Sequence, residues 1–218
     1  SLGEMTNQWR HPRQDKLIDL LDALSPITRP TMLEYFAPDC CVATCKILKE
    51  VFTHFGFKAH AAGVEVQVLN KQMQILCEKG PLPADPAERM ALFEQTGAWG
   101  VGIGPILTGE PAPVGKYSGH LILNVHGLLV DAALQQAQRE SKDIYLPPLL
   151  YFPALPGFFA TPKGQQMRGD IGDVMVTYKR LRDDSYLTGR NWRERHAGGP
   201  KAYLKIMRLL RERGFDQA

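Results

Sequence analysis

The sequence contains no apolar run of about 18 residues, so none of it reads as a membrane-spanning helix. It is poor in cysteine: Cys40, Cys41, Cys45 and Cys77 are too few and too clustered for a disulfide scaffold, and reduced thiols are expected. It has little net charge, with 26 Lys and Arg against 23 Asp and Glu giving +3, which offers no electrostatic footprint for nucleic acid. It lacks the GxxxxGK[ST] phosphate loop. Gly100-Val101-Gly102-Ile103-Gly104 has neither the spacing nor the following helix of a dinucleotide fingerprint. Residues 1–13 are polar and carry no apolar signal core, so 1–12 are expected to be a loose leader and the protein cytoplasmic. Internal repeats and linker composition are also missing, which predicts a single domain over 1–218 with a basic C-terminal extension over 183–218.

What remains is an ordinary globular composition, 44% hydrophobic and 22% charged, long enough for one sizeable core. Leu17, Ile18, Leu20, Leu21 and Leu24 have helical spacing, and Ser25-Pro26 and Arg29-Pro30 break the pattern. One further turn is expected over Thr31 to Phe36. Asp39 is a good N-cap for a second helix reaching about His54, with Cys41, Cys45, Leu48, Phe52 and Phe55 on one stripe. Val64, Val66 and Val68 alternate as a strand. Short helices are expected over Asn70 to Glu78 and Asp85 to Gln95, then a glycine-rich strand over Trp99 to Leu107. Ile144 to Pro162 reads as a long apolar loop, Asp173 to Leu181 as a last strand and Lys201 to Arg213 as a basic amphipathic helix.

The stretch from Gly119 to Asp131 reads as a β-hairpin. With His126-Gly127 as a two-residue primed turn, Val125 pairs with Leu128, Asn124 with Leu129 and Ile122 with Asp131. Paired residues, and residues two apart, share a face, so His120 and Asp131 lie one diagonal step apart on the same side. That step is about 7–8 Å at the backbone, which the two side chains can span. An aspartate so placed accepts the imidazole N–H and fixes its tautomer. A carboxylate within the apolar run Leu128 to Leu134 would be costly without such a partner.

Cys40 and Cys41 both fall in the first turn of the upstream helix, where unpaired N–H groups and the helix dipole favour a thiolate. A thiol beside a histidine is a nucleophile with its base. Cys41 begins the buried stripe and is favoured; Cys40, toward the edge of the stripe with Thr44 and Ile47, is the alternative. Cys45 and Cys77 read as small core residues. The cysteines lack the spacing of common zinc sites, and adjacent helical positions point about 100° apart, so no metal is expected.

A cysteine that opens a buried helix, then a histidine on a strand, then an aspartate on the next strand, resembles the transglutaminase-like branch of the papain-like cysteine-enzyme superfamily. It is also similar in order to the arylamine N-acetyltransferases. The likeness covers Asp39 to Leu134 and carries over to Cys41, His120 and Asp131. It implies an α+β fold in which an antiparallel sheet packs on a central helix bearing the cysteine at its N-terminus. It also implies acyl transfer through a thioester, with hydrolysis favoured over transfer to an amine. The Arg-Gly-Gly run before the acetyltransferase cysteine is missing, which argues against acetyl-CoA as donor, and no cofactor is expected. A protein or small molecule bearing an amide or ester is the expected partner, without nucleic acid or membrane. Trp99, Gly100, Gly102 and Asn70 are candidate substrate contacts, and Asn70, Gln67, Trp99 and Tyr35 candidate second oxyanion donors. Two alternatives stand beside this reading. One is a catalytically silent transglutaminase-like module that binds a protein partner, its basic segment (Arg190, Arg193, Arg195, Lys201, Lys205, Arg208, Arg211 and Arg213) docking an acidic surface. The other is a likeness to cell-wall cysteine endopeptidases, where Asp-Cys opens the helix and Gly-His the strand, which would make Cys40 the nucleophile.

Overall fold

Leucines at helical spacing form α1 (Gln14–Leu24), whose Leu17, Leu20, Leu21 and Leu24 are all buried. The expected break at Arg29-Pro30 is instead the start of α2 (Thr28–Tyr35). Pro30 occupies the first turn, where a helix has no intrahelical use for the missing N–H. In the computed structural model, residues 13–104, 117–160, 165–182, 184–193 and 200–216 are described. The leader 1–12, the far end of the Trp99–Leu107 strand and Arg195 lie outside them.

The central helix, α3 (Cys41–His54), buries Cys41, Cys45, Leu48, Val51 and Phe52 as its stripe predicts. It begins one residue later than an Asp39 cap would place it. Cys40 is the N-cap and makes no side-chain cap bond; its carbonyl accepts from the Thr44 N–H at 2.9 Å. Strand β1 (Ala59–Leu69) starts five residues before the valine alternation. Its Ala-His-Ala-Ala-Gly opening has little strand propensity of its own and is recruited by pairing with β3 (His120–Val125). The helices α4 (Lys71–Lys79) and α5 (Pro86–Thr96) follow as expected, capped by Asn70 and Asp85. Then come β2 (Gly100–Ile103), β4 (Leu128–Asp131), β5 (Leu150–Pro153), β6 (Gln166–Ile171) and β7 (Val174–Arg180). A short α6 (Arg190–Arg193) precedes α7 (Lys201–Glu212), which sets Ala202, Ile206 and Leu210 into the helical core.

The sheet is antiparallel throughout, in the order β5-β4-β3-β1-β7-β6, with β2 also on β1. Two strands depart from the sequence reading. β5 lies in what reads as a loop: its proline ends an edge strand, where a missing donor is tolerated. β6 is polar and mostly exposed, and forms only as the edge partner of β7 across the turn at Gly172 and Asp173.

Both faces of the sheet are apolar. Leu121, Leu123, Val125, Leu128 and Val130 meet α1, α3 and α7 on one side. Val64, Val66, Val68, Ile122, Leu129, Val176 and Tyr178 line the other, covered by Leu134, Ile144, Leu146 and Phe158. This second face is concave. The Tyr178 hydroxyl donates to Asp131 Oδ2 at 2.8 Å, although β7 and β4 are separated by β1 and β3. In a flat sheet those strands would stand about 14 Å apart, with side chains perpendicular to the sheet and unable to meet. The bond therefore requires the sheet to curl.

Candidate active site

The hairpin turn sets the site. His126 and Gly127 both have positive φ, 51° and 85°, which is the primed turn that the glycine predicts. It fixes Val125 opposite Leu128, Asn124 opposite Leu129 and Leu123 opposite Val130. The next step puts Ile122 opposite Asp131, with His120 diagonal to it. The side chains close that diagonal: His120 Nε2 lies 2.8 Å from Asp131 Oδ2, and both residues are buried, at 0% and 1% exposure.

Asp131 is held on every side. Its Oδ1 accepts the Ala133 N–H at 3.0 Å, and its Oδ2 accepts from Tyr178 as well as from the histidine. A carboxylate held in this way pins the imidazole proton to Nε2 and leaves Nδ1 as the basic nitrogen. Gln136 Nε2 lies 3.2 Å from that Nδ1. Burial lowers the affinity of His120 for a second proton. The charge and hydrogen bond of Asp131, with Cys41 adding to both effects, outweigh burial and raise the ring's pKa to about 10.

Cys41, 7% exposed, is the first residue of α3 and lies close to the ring. The helix does not pack on the face of the hairpin that carries His120 and Asp131. α3 packs on the opposite row, Leu121, Leu123 and Val125. The two meet at the beginning of β3, where the Cys45 thiol also donates to the Leu121 carbonyl at 3.2 Å. One helical turn before Cys45, Cys41 lies close to the first residue of the strand, His120.

Cys40 has other partners. Its sulfur is 3.6 Å from Arg29 Nη1 and 3.6 Å from Thr44 Oγ1, and burial raises its pKa despite both. Cys45 is buried, and that burial, with smaller electrostatic contributions from Cys41 and Asp131, pushes its pKa well up.

The remaining candidates lie apart. Trp99, Gly100 and Gly102 line a separate cavity with Gln67, Met73 and Phe93. Gly100 pairs with Leu69, five positions along β1 from Val64, the partner of His120; that distance is about 16 Å. What approaches Gly100 closely is the chain's own Leu69, whose Cδ2 would lie 2.8 Å from an added Cβ. Asn70 is buried at the N-cap of α4 and bonds only backbone. Among the described residues, no group of three or more His, Cys, Asp or Glu side chains is arranged to hold a metal, and no helix is long and apolar enough to cross a membrane. The basic face of α7 is partly used within the chain, with Lys205 ion-paired to Glu34 and Arg208 to Glu212.

Tyr178 and Gln136 are the neighbours that sequence reasoning missed. Tyr178 is visible as the third member of the row Val174, Val176, Tyr178, but its reach to Asp131 depends on the curl of the sheet. Gln136 sits on a 3₁₀ turn, Leu134–Ala137, beside another glutamine, and nothing in the sequence distinguishes the two.

No protein-family model, curated protein or solved structure matches the chain.

Proposed function

We propose that the chain is a cysteine-dependent acyl-transfer enzyme that acts on an amide or ester through a thioester, with water as the ordinary acceptor. The observation that carries this reading is the buried His120–Asp131 pair close to Cys41, the first residue of α3. In the first half of the cycle the Cys41 S–H bond breaks and its proton passes to His120 Nδ1. The sulfur attacks the substrate carbonyl, and the Cys41 backbone N–H, which has no intrahelical partner at the first position of α3, donates to the developing oxyanion. The leaving amine or alcohol takes the proton from Nδ1 as its bond to the acyl carbon breaks. In the second half, water gives a proton to Nδ1, attacks the thioester and releases the acid, and the thiolate recovers its proton. Asp131 orients the ring throughout. The choice of Cys41 over Cys40 is supported by the partners of Cys40, which are Arg29 and Thr44.

A thiol-reactive probe at pH about 6, where an ordinary thiol is almost wholly protonated, tests this directly. Iodoacetamide with peptide mapping should label Cys41 first, and either Cys41→Ala or His120→Ala should abolish the fast phase. If no cysteine outpaces a free thiol, the chain is not a cysteine enzyme, and the protein-binding module becomes the better account. A mass increment left on Cys41 by a trapped acyl group would identify the substrate class.

A further inference from the structure

Gln136 follows β4 on the 3₁₀ turn and places its side-chain amide at the ring nitrogen that Asp131 leaves open, 3.2 Å from Nδ1. Its Oε1 is buried and has no hydrogen-bond partner among the described residues. An amide oxygen left in this state loses its water partners without gaining a protein one. The two ends of the amide are nearly equal in shape and opposite in character, so a half-turn exchanges a donor for an acceptor with little change in packing.

Which end His120 calls for depends on its charge. The neutral ring, with its proton on Nε2 toward Asp131, presents a lone pair at Nδ1 and calls for an amide N–H. The cationic ring presents an N–H at Nδ1 and calls for the amide oxygen. The titratable and charged groups facing the ring are Asp131 from β4 and Cys41 from α3, with Tyr178 from β7 acting through Asp131. None of these can turn over in the same way: Asp131 is fixed by three bonds, and the thiol is the proton's other home.

We propose that Gln136 is a positioning residue whose amide turns over with the charge on His120, donating to the neutral ring and accepting from the cation. The purpose of the device rests on the acyl-transfer reading above, in which the ring gains and returns a proton in each half of the cycle. With its N–H inward, Gln136 competes with the Cys41 thiol for the Nδ1 lone pair. With its oxygen inward, it holds the proton on the ring and so favours the sulfur anion. A hydrogen bond to a charged group is roughly twice as strong as a neutral one, so the oxygen-in bond outweighs the amide N–H left without a partner.

The titration of His120 is the readout, because a merely structural glutamine would not move it. Ring-nitrogen shifts followed against pH by NMR in the Cys41→Ala chain remove the thiol from the measurement. Gln136→Met, which keeps the volume and removes the acceptor, should lower the ring pKa by about one unit. Gln136→Glu, which keeps the shape and adds charge, should raise it. Ring titrations unmoved in both variants would overturn the proposal, and the glutamate variant decides the matter should the methionine variant not fold. The two readings fail separately. Fast labelling with an unmoved ring defeats the role of Gln136 and spares the enzyme. A moved ring with no fast cysteine defeats the enzyme and leaves the coupling between amide and ring charge standing.

Discussion

Two of the buried polar centres of this sheet are built on opposite principles. Asn70, 1% exposed, caps α4. Its Oδ1 accepts from the Met73 and Trp99 N–H groups at 2.9 and 3.0 Å, and its Nδ2 donates to the Gly97 and Lys142 carbonyls at 2.8 and 2.9 Å. An asparagine has two acceptor sites and two donor hydrogens on its side chain, so all its capacity is used, and used on backbone. The His120–Asp131 centre is as deeply buried but ionisable, bonded mostly through side chains, and incomplete: the Cys41 thiol lies close by, and the Gln136 amide oxygen has no partner among the described residues. Burial alone therefore does not mark a functional group. What separates the two is whether the hydrogen bonding closes on itself. A neutral centre that closes is a rivet, and a charged centre that stays open has work left for a proton or a ligand.

The largest effect is expected where the open centre is cut. Asp131→Ala leaves His120 buried without its counter-charge, and removing one partner of such a pair costs about 3–5 kcal/mol. It also releases the ring tautomer, so Cys41 labelling at pH about 6 should fall by about a hundredfold. Urea denaturation and the labelling rate check the two halves of this prediction, and an unchanged rate would make the pair another rivet. Asn70→Ala should come next, at about 3 kcal/mol, because it orphans buried backbone groups at both ends of its span. The folded fraction of that variant should label at Cys41 as fast as the parent. A slowed rate would show that the two centres communicate along β1.

Acidity gives a further contrast, because only one of the two centres titrates. The pKa of His120 is raised in the folded chain from 6.5 to about 10. A group with a raised folded pKa contributes its full stability below the unfolded value and loses it as pH climbs through the folded one. The urea midpoint should therefore decline between pH 6.5 and about 10. In His120→Gln this decline should be smaller, whereas Asn70→Ala should shift the midpoint by the same amount at every pH. A decline of equal size in His120→Gln would assign the alkaline loss to other groups.

Much of the open centre is legible in the sequence because it is local. Thirteen consecutive residues hold the strand, the turn and the return, and the glycine at 127 fixes the register that sets His120 diagonal to Asp131. Stripe arithmetic on α3 likewise selects Cys41. The rest depends on tertiary packing. The meeting of Cys41 with His120 at the strand's beginning, rather than across the face beneath the helix, depends on where α3 sits along the sheet. β5 and β6 carry weak strand patterns because each is an edge, formed by its neighbour more than by its own residues. In the sequence Asn70 reads as the first residue of a helix and as a candidate substrate contact. That its bonds reach Gly97 and Lys142, and so close on backbone far along the chain, is not legible there.

The smallest expected effect probes how far the open centre extends. Tyr178 is fully buried on β7 and reaches Asp131 only because the sheet curls. Tyr178→Phe keeps the ring, which packs against Phe152, and removes one hydroxyl. Asp131 keeps the His120 and Ala133 bonds, so the loss is one buried hydrogen bond to a charged group, about 2 kcal/mol. The stability change belongs to any buried bond; the chemistry is the sharper readout. With one donor fewer, the carboxylate has more of its charge available to His120, so the ring should hold its proton more firmly and titrate higher. The pH profile of Cys41 labelling should keep its fast phase. Were Tyr178 only packing, the ring titration would not move at all. Were it a member of the catalytic group, the fast phase would vanish. A titration shifted upward with labelling preserved places the boundary of the centre between Asp131, whose removal stops the chemistry, and Tyr178, whose removal only retunes it.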